Sequence, residues 1–338
     1  MPAICHVVDA CSPAPAVVAA AAQTIRAGGL VAFPTETVYG LGADGLNPVA
    51  VSHIFAAKGR PSTNPVILHV ATVEQARQLV LDWPAAADLL AARFWPGPLT
   101  LVLPRRSNVP GVVTAGGPTV AVRMPAHPVA QALVAACGRP LAAPSANRST
   151  RISATTAAHV AKELGDRIDM ILDAGPTSAG LESTVLDLSE GISRILRPGP
   201  ITAEQIAALV GPLEHASKPH KIARSPGQMP RHYAPSVPVE LLRYEETACL
   251  APETPAAHKI GWLSFGSVPA PAAATTIQIV MPPEPAGYAA RLYAALHELE
   301  DAGVERIVVS APPNTPCWAA VHDRLRRAAS DHEEPITS

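Results

Sequence analysis

Lys58-Gly59-Arg60-Pro61 sets two cations on either side of a glycine. A lysine acts as a point charge and an arginine as a bidentate fork, so the pair suits a polyphosphate. The competing reading is a basic helix end that complements the helix dipole. Pro144-Ser145-Ala146-Asn147-Arg148 offers a hydroxyl and an amide to phosphate or base, against an ordinary Ser/Asn turn. Pro34-Thr35-Glu36-Thr37-Val38-Tyr39-Gly40 packs two hydroxyls, a carboxylate and a phenol beside a glycine. Alone, that segment also reads as a polar turn. Arg123 and Arg197 each end an apolar run, where an unpaired guanidinium would be costly. Each therefore needs an anionic partner, either a protein carboxylate or a ligand. Ser183-Thr184 opens another apolar run. His69 ends the run 66–68, where a histidine is as readily a structural residue as a ligand. Together Lys58, Arg60, Arg123 and Arg197 suit a triphosphate better than a neutral substrate. No dense Asp/Glu cluster appears, so magnesium is expected on the nucleotide phosphates, with no metal held by a dedicated protein cage.

Other chemistries are excluded by their missing parts. Gly40-Leu41-Gly42-Ala43-Asp44-Gly45 matches the dinucleotide fingerprint Gly-x-Gly-x-x-Gly. That reading also needs an acidic residue some 20 positions on to hold the ribose. No Asp or Glu occurs between Gly45 and Glu74. A Walker-type phosphate loop, Gly-x-Ser-x-Gly and His-Glu-x-x-His are all absent. The five cysteines are scattered, odd in number and without a Cys-x-x-Cys pair, which argues against a disulfide framework or a structural zinc site. A reduced, cytoplasmic setting is the expectation. The start of the chain lacks a basic segment followed by an apolar one, and no apolar run reaches the length of a membrane span.

These residues sit where an alternation of helices and strands must hold them. Helices are expected over 16–26, 48–57, 129–137, 156–164 and 202–210, and strands over 30–33, 99–103, 119–122, 141–143, 170–172, 184–188 and 192–196. Asn47-Pro48 reads as an N-cap with proline at the first helical position. Thr72 with Gln75, and Thr202 with Gln205, have capping-box spacing. The chain has 338 residues, 48% of them hydrophobic and 16% charged, which gives a two-domain prior and a sizeable core. Net charge is −2, without the bulk basic character that drives non-specific nucleic-acid binding. The boundaries read from the pattern are 1–211, a Pro-, Ser- and His-rich linker over 212–238, and a smaller alternating α/β unit over 239–338, with a mostly parallel sheet.

Seven motifs then fall in one order: PTETVYGLG, AAKGRP with a following Asn-Pro and His, WPGPLTLVL, AVRMPAHP, PSAN, ESTV and LRPGPIT. Together they closely resemble the YrdC-type family of threonylcarbamoyl-AMP synthases. The linker SPGQMPRHYAP resembles the segment that leads to a C-terminal domain in the longer members. The resemblance implies a YrdC-like open, twisted mixed sheet with helices, plus a smaller Rossmann-like α/β C-terminal domain. It implies that L-threonine, bicarbonate and ATP give threonylcarbamoyl-AMP and pyrophosphate, for threonylcarbamoyladenosine in tRNA. A downstream tRNA threonylcarbamoyl transferase complex would use the product; direct tRNA contact is left open. By motif, Lys58, Arg60, Ser145 and Asn147 would engage phosphates and the reacting carbamate. Thr35, His69, Arg123 and Ser183 would hold threonine. Arg194, Arg197, His232 and Tyr233 would sit over the nucleotide, with the linker as a lid. One departure is visible: Thr150 stands where a glycine is expected at or near that position. The rival readings are a carbamoyltransferase that forms carbamoyl-AMP and a non-catalytic RNA-binding module.

Overall fold

The strand β1 (Ile4–Val7) and helix α1 (Pro15–Arg26) lead into β2 (Val31–Phe33), β3 (Gly40–Asp44) and α2 (Pro48–Lys58). The last shows how sequence sets a boundary. Asn47 Oδ1 accepts from Val49 N at 3.0 Å and Ala50 N at 3.3 Å, and Pro48 fills the first turn. At the other end Gly59 takes a left-handed φ of 60°, which frees the chain to turn after Lys58. The computed structural model describes residues 2–215, 233–242, 259–266 and 276–330. They form two compact units. One holds the chain to His215 apart from Thr150–Ile152; the other holds those three residues and the chain from Tyr233. Residues 216–232, most of the expected linker, lie outside the described residues.

The first unit continues with β4 (Ile67–His69), α3 (Val73–Arg77), α4 (Ala85–Phe94), β5 (Leu99–Pro104), β6 (Thr119–Arg123), α5 (Pro128–Cys137) and β7 (Leu141–Ala142). Then come α6 (Ala157–Leu164), β8 (Met170–Asp173), β9 (Thr184–Asp187), β10 (Arg194–Arg197), α7 (Ala203–Val210) and β11 (Glu214–His215). The strands make one mixed sheet in the order β1-β8-β2-β3-β7-β4-β6-β5-β9-β10-β11. Its principal core includes Leu41, Ile54, Leu68, Leu101, Val122 and Ile171. Aliphatic and alanine side chains dominate it, as the scarcity of aromatics requires.

The first five residues of the Gly-x-Gly-x-x-Gly run form strand β3, antiparallel to β2, and Gly45 follows directly after it. A Cβ on Gly42 would lie 2.7 Å from the Phe33 ring, and one on Gly45 2.8 Å from the Pro140 carbonyl. These glycines serve close packing inside the sheet. Thr202 and Gln205 close a capping box at α7. At α3 Thr72 accepts from Gln75 N at 3.1 Å, but Gln75 Oε1 accepts from Ala71 N at 2.8 Å, so the expected box is not closed on Thr72.

The second unit carries β12 (Val239–Leu242), β13 (Ile260–Phe265), β14 (Thr276–Met281), α8 (Pro285–Asp301), β15 (Arg306–Ser310) and α9 (Ala319–Ala329). Its four strands are all parallel, in the order β12-β15-β13-β14. Thr150 adopts φ 67°, the left-handed region that a glycine enters freely, and its carbonyl accepts from Ala234 N at 3.0 Å. For a β-branched residue that conformation costs on the order of 1–2 kcal/mol. Among the described residues no helix is long and apolar enough to cross a membrane.

Candidate active site

Lys58 ends α2 with its side chain buried. Its ammonium donates to Ser145 O at 2.6 Å, to Asn147 O, and to Asn147 Oδ1 at 3.4 Å. An ammonium has three N–H groups, and here each faces a chain acceptor. Lys58 therefore clamps the Ser145–Asn147 loop, and Ser149 N returns a bond to Lys58 O at 2.8 Å. Burial, with the Arg60 guanidinium next in weight, pushes the Lys58 pKa well below the ordinary lysine value; Glu163 and Glu182 oppose the shift. Arg60 is buried beyond the Gly59 turn and donates to Pro65 O at 2.9 Å and Asn64 O at 3.4 Å.

Four other expected groups, His69, Arg123, Ser183 and Arg197, lie along one edge of the sheet across β4-β6-β5-β9-β10, and Thr100 of β5, which was not expected, joins them. His69 and Arg123 are register partners at the ends of β4 and β6. Thr100 lies one step beyond the Leu101–Val122 pair of β5 and β6. Ser183 precedes β9, and Arg197 ends β10. Arg123 finds the partner its burial demands in Glu36, with Nη2 to Oε1 at 2.7 Å, while Nε donates to Gly97 O at 3.2 Å. The second Glu36 oxygen accepts from Ala126 N at 3.1 Å. Arg197 donates to Ser183 O at 3.0 Å and to Ser183 Oγ at 3.2 Å. Thr35 sits beside Glu36, its hydroxyl donating to Val38 O at 2.7 Å and accepting from Val38 N at 3.2 Å.

His69 is buried, packs edge-on against Phe33, and its Nδ1 has no hydrogen-bond partner. A buried polar atom without a partner is what a bound polar ligand would satisfy. Burial, then the Arg123 charge, lowers the His69 pKa to about 3. The unfolded chain, with histidine near 6.5, thus binds more protons between pH 6.5 and 3. Stability is expected to fall as pH drops through that window, by about 1.4 kcal/mol per pH unit. Urea unfolding of His69→Gln against wild type across pH 7 to 4 checks this: the variant lacks that slope, and equal slopes would exclude His69 as its source.

Arg194 begins β10 and pairs with Glu214 at 3.1 Å and Glu190 at 3.5 Å. Three residues of strand, about 10 Å, separate it from Arg197. Tyr233 belongs to the second unit; it is buried, stacks on Tyr293 at 5.8 Å, and carries Arg324 over its ring at 5.1 Å. His232 lies outside the described residues. Glu36, Thr100 and Glu182 were not singled out as site residues, although each lies inside a quoted motif. Glu182 is buried and accepts from Ser153 Oγ at 2.6 Å. A groove of about 800 Å³ beside α1, lined by Ile4, Thr24 and Asp169, contains none of the site residues.

A mixed sheet that holds a lysine-clamped Ser-x-Asn loop, with Arg123 and Arg197 along one edge, accompanies a match to the Sua5–YciO–YrdC class. That class's family model, described as telomere recombination, matches residues 23–199. A second, described as the C-terminal domain of threonylcarbamoyl-AMP synthase, matches residues 201–330. The threonylcarbamoyl-AMP synthase of Pyrococcus abyssi is 42% identical over 91% of this chain and 93% of its own. That of Bacillus subtilis is 41% identical over 92% of each. The crystal structure of Pyrococcus abyssi Sua5 complexed with L-threonine superposes with a TM-score of 0.88 at 39% identity, covering 96% of this chain and 97% of that one. The chain belongs to the threonylcarbamoyl-AMP synthase family.

Proposed function

We propose that this enzyme condenses L-threonine, bicarbonate and ATP into threonylcarbamoyl-AMP, pyrophosphate and water, for threonylcarbamoyladenosine in tRNA. The observation that carries the reading is the pairing of two kinds of site on one sheet. Lys58 holds a Ser-x-Asn loop suited to phosphates. The row His69, Arg123 and Ser183 offers a cation, a hydroxyl and a partnerless nitrogen for an amino acid. The L-threonine found in the Pyrococcus abyssi structure supports the second assignment. Arg60 and Arg197 are assigned to the nucleotide side.

In this reading the neutral threonine amine attacks bicarbonate and forms the carbamate as a C–O bond breaks and water leaves; the carbamate oxygen then attacks the α-phosphorus as pyrophosphate leaves. The chain supplies position and charge, with no side-chain nucleophile. Among the described residues no three His, Cys, Asp or Glu side chains converge. The proposal therefore assigns magnesium to the ATP phosphates and routes no step through a protein metal site.

Pyrophosphate release with ATP, magnesium and bicarbonate, with and without L-threonine, tests the reading. Release is expected only with threonine, together with an adenylate of the right mass. Threonine-independent release stimulated by carbamoyl phosphate would favour a carbamoyl-AMP enzyme. No release, with a salt-dependent RNA gel shift, would favour a binding role.

A further inference from the structure

The segment Trp95-Pro96-Gly97-Pro98-Leu99-Thr100 touches both flanks of the threonine side without itself having been given a task. Gly97 O accepts from Arg123 Nε at 3.2 Å, and Gly97 N donates to Met124 O at 2.8 Å. Pro98 O accepts from Thr184 N at 3.0 Å. The Thr100 and Ser183 hydroxyl oxygens lie 2.7 Å apart. The course of the segment is fixed locally. The Trp95 indole donates to Leu99 O at 2.7 Å, and a Cβ on Gly97 would lie only 2.2 Å from Phe94 O.

Thr100 and Ser183 are both fully buried. The Thr100 hydroxyl bonds to Ser183, and the Ser183 oxygen also accepts from Arg197 Nη2 at 3.2 Å. Geometry allows either hydroxyl to donate, but the consequences differ. If Ser183 donates to Thr100, its single hydrogen is committed inside the protein. If Thr100 donates, the Ser183 oxygen accepts from Thr100 and Arg197, and its hydrogen remains for a third group. We propose that Thr100 is a positioning residue that donates to Ser183 and so aims the serine hydroxyl at an acceptor oxygen of the L-threonine substrate. This rests on the reading that Ser183 faces threonine.

Thr100→Val keeps the β-branched shape and removes the hydroxyl, and Thr100→Ser returns it. KM values for L-threonine and for ATP, read by pyrophosphate release, separate the roles. Thr100→Val is expected to raise KM for L-threonine about five- to tenfold, the scale of one lost hydrogen bond, and to leave KM for ATP within about twofold. Thr100→Ser is expected to restore the wild-type value. Ser183→Ala is expected to raise KM for L-threonine as well, and adding Thr100→Val to it should produce no further rise, because Thr100 acts through Ser183. A wild-type KM in Thr100→Val beside a raised one in Ser183→Ala would overturn this proposal alone. A wild-type KM in Ser183→Ala would remove Ser183 from the threonine site, and the proposal with it. Additive effects, or equal rises for both substrates that Thr100→Ser does not repair, would make Thr100 structural and also overturn it.

Discussion

Lys58→Ala is expected to lower threonine-dependent pyrophosphate release by about 10²–10³-fold while the protein stays folded. The side chain sits on the last turn of a helix capped at both ends, so α2 does not depend on it. Its ammonium instead joins Ser145 O, Asn147 O and Asn147 Oδ1. Removing it leaves these acceptors without their shared donor. The loop proposed to present a hydroxyl and an amide to the phosphates then loses its anchor. A misplacement of about 1 Å at reacting groups can itself cost on the order of 100-fold. Lys58→Arg should not rescue, because a planar guanidinium cannot direct three N–H groups from a single nitrogen. Circular dichroism and steady-state kinetics on the two variants decide the matter. Wild-type turnover in folded Lys58→Ala would exclude the lysine from the machinery.

The second large effect falls on stability as well as activity. Arg123 and Glu36 form an ion pair at 2.7 Å, with side chains 4% and 13% exposed. Arg123→Met is expected to destabilise the protein by about 3–5 kcal/mol, because a largely buried carboxylate is left without its counter-charge. The double variant Arg123→Met/Glu36→Met should recover most of that loss, since two apolar groups need no compensation. It should not recover use of L-threonine. Urea unfolding read beside threonine binding separates the two consequences. If the double variant is as unstable as the single, the carboxylate is not the cause. If it binds threonine normally, Arg123 is not a threonine residue.

Much of the side proposed for the nucleotide was legible because local chemistry marks it. Asn47 and Pro48 start α2 in the sequence as they do in the fold, and the helix ends at Lys58, one residue past the expected 57. The Ser145–Asn147 turn likewise announces itself by polar groups after an apolar run. The partners on the side proposed for threonine were hidden by distance along the chain. Glu36 meets Arg123 across 87 positions, and Thr100 meets Ser183 across 83. No single-sequence pattern reports such pairings. Arg194 and Arg197 show another limit. Both lie on β10, and only the sheet reveals that one faces Glu190 and Glu214 while the other faces Ser183. Strand β3 was obscured by its glycines, which disfavour strands in isolation and are used here to admit Phe33. Helix α4 begins after Pro84 with three alanines, which carry little amphipathic signal.

The edge row of His69, Arg123, Thr100, Ser183 and Arg197 draws its members from five adjacent strands, β4-β6-β5-β9-β10. No single hairpin contains it. A slip of one residue in any of these strands would turn that strand's member to the opposite face. Ligand affinity is therefore a readout of strand register across the whole run. A ligand that binds there recognises only the fully assembled sheet and, at a hundredfold excess over its Kd, would add about 2.7 kcal/mol to its stability. For an evolving lineage, selection on turnover is then also selection on the alignment of five strands. Substitutions far from the site that loosen one strand are exposed to it as directly as changes in the site itself.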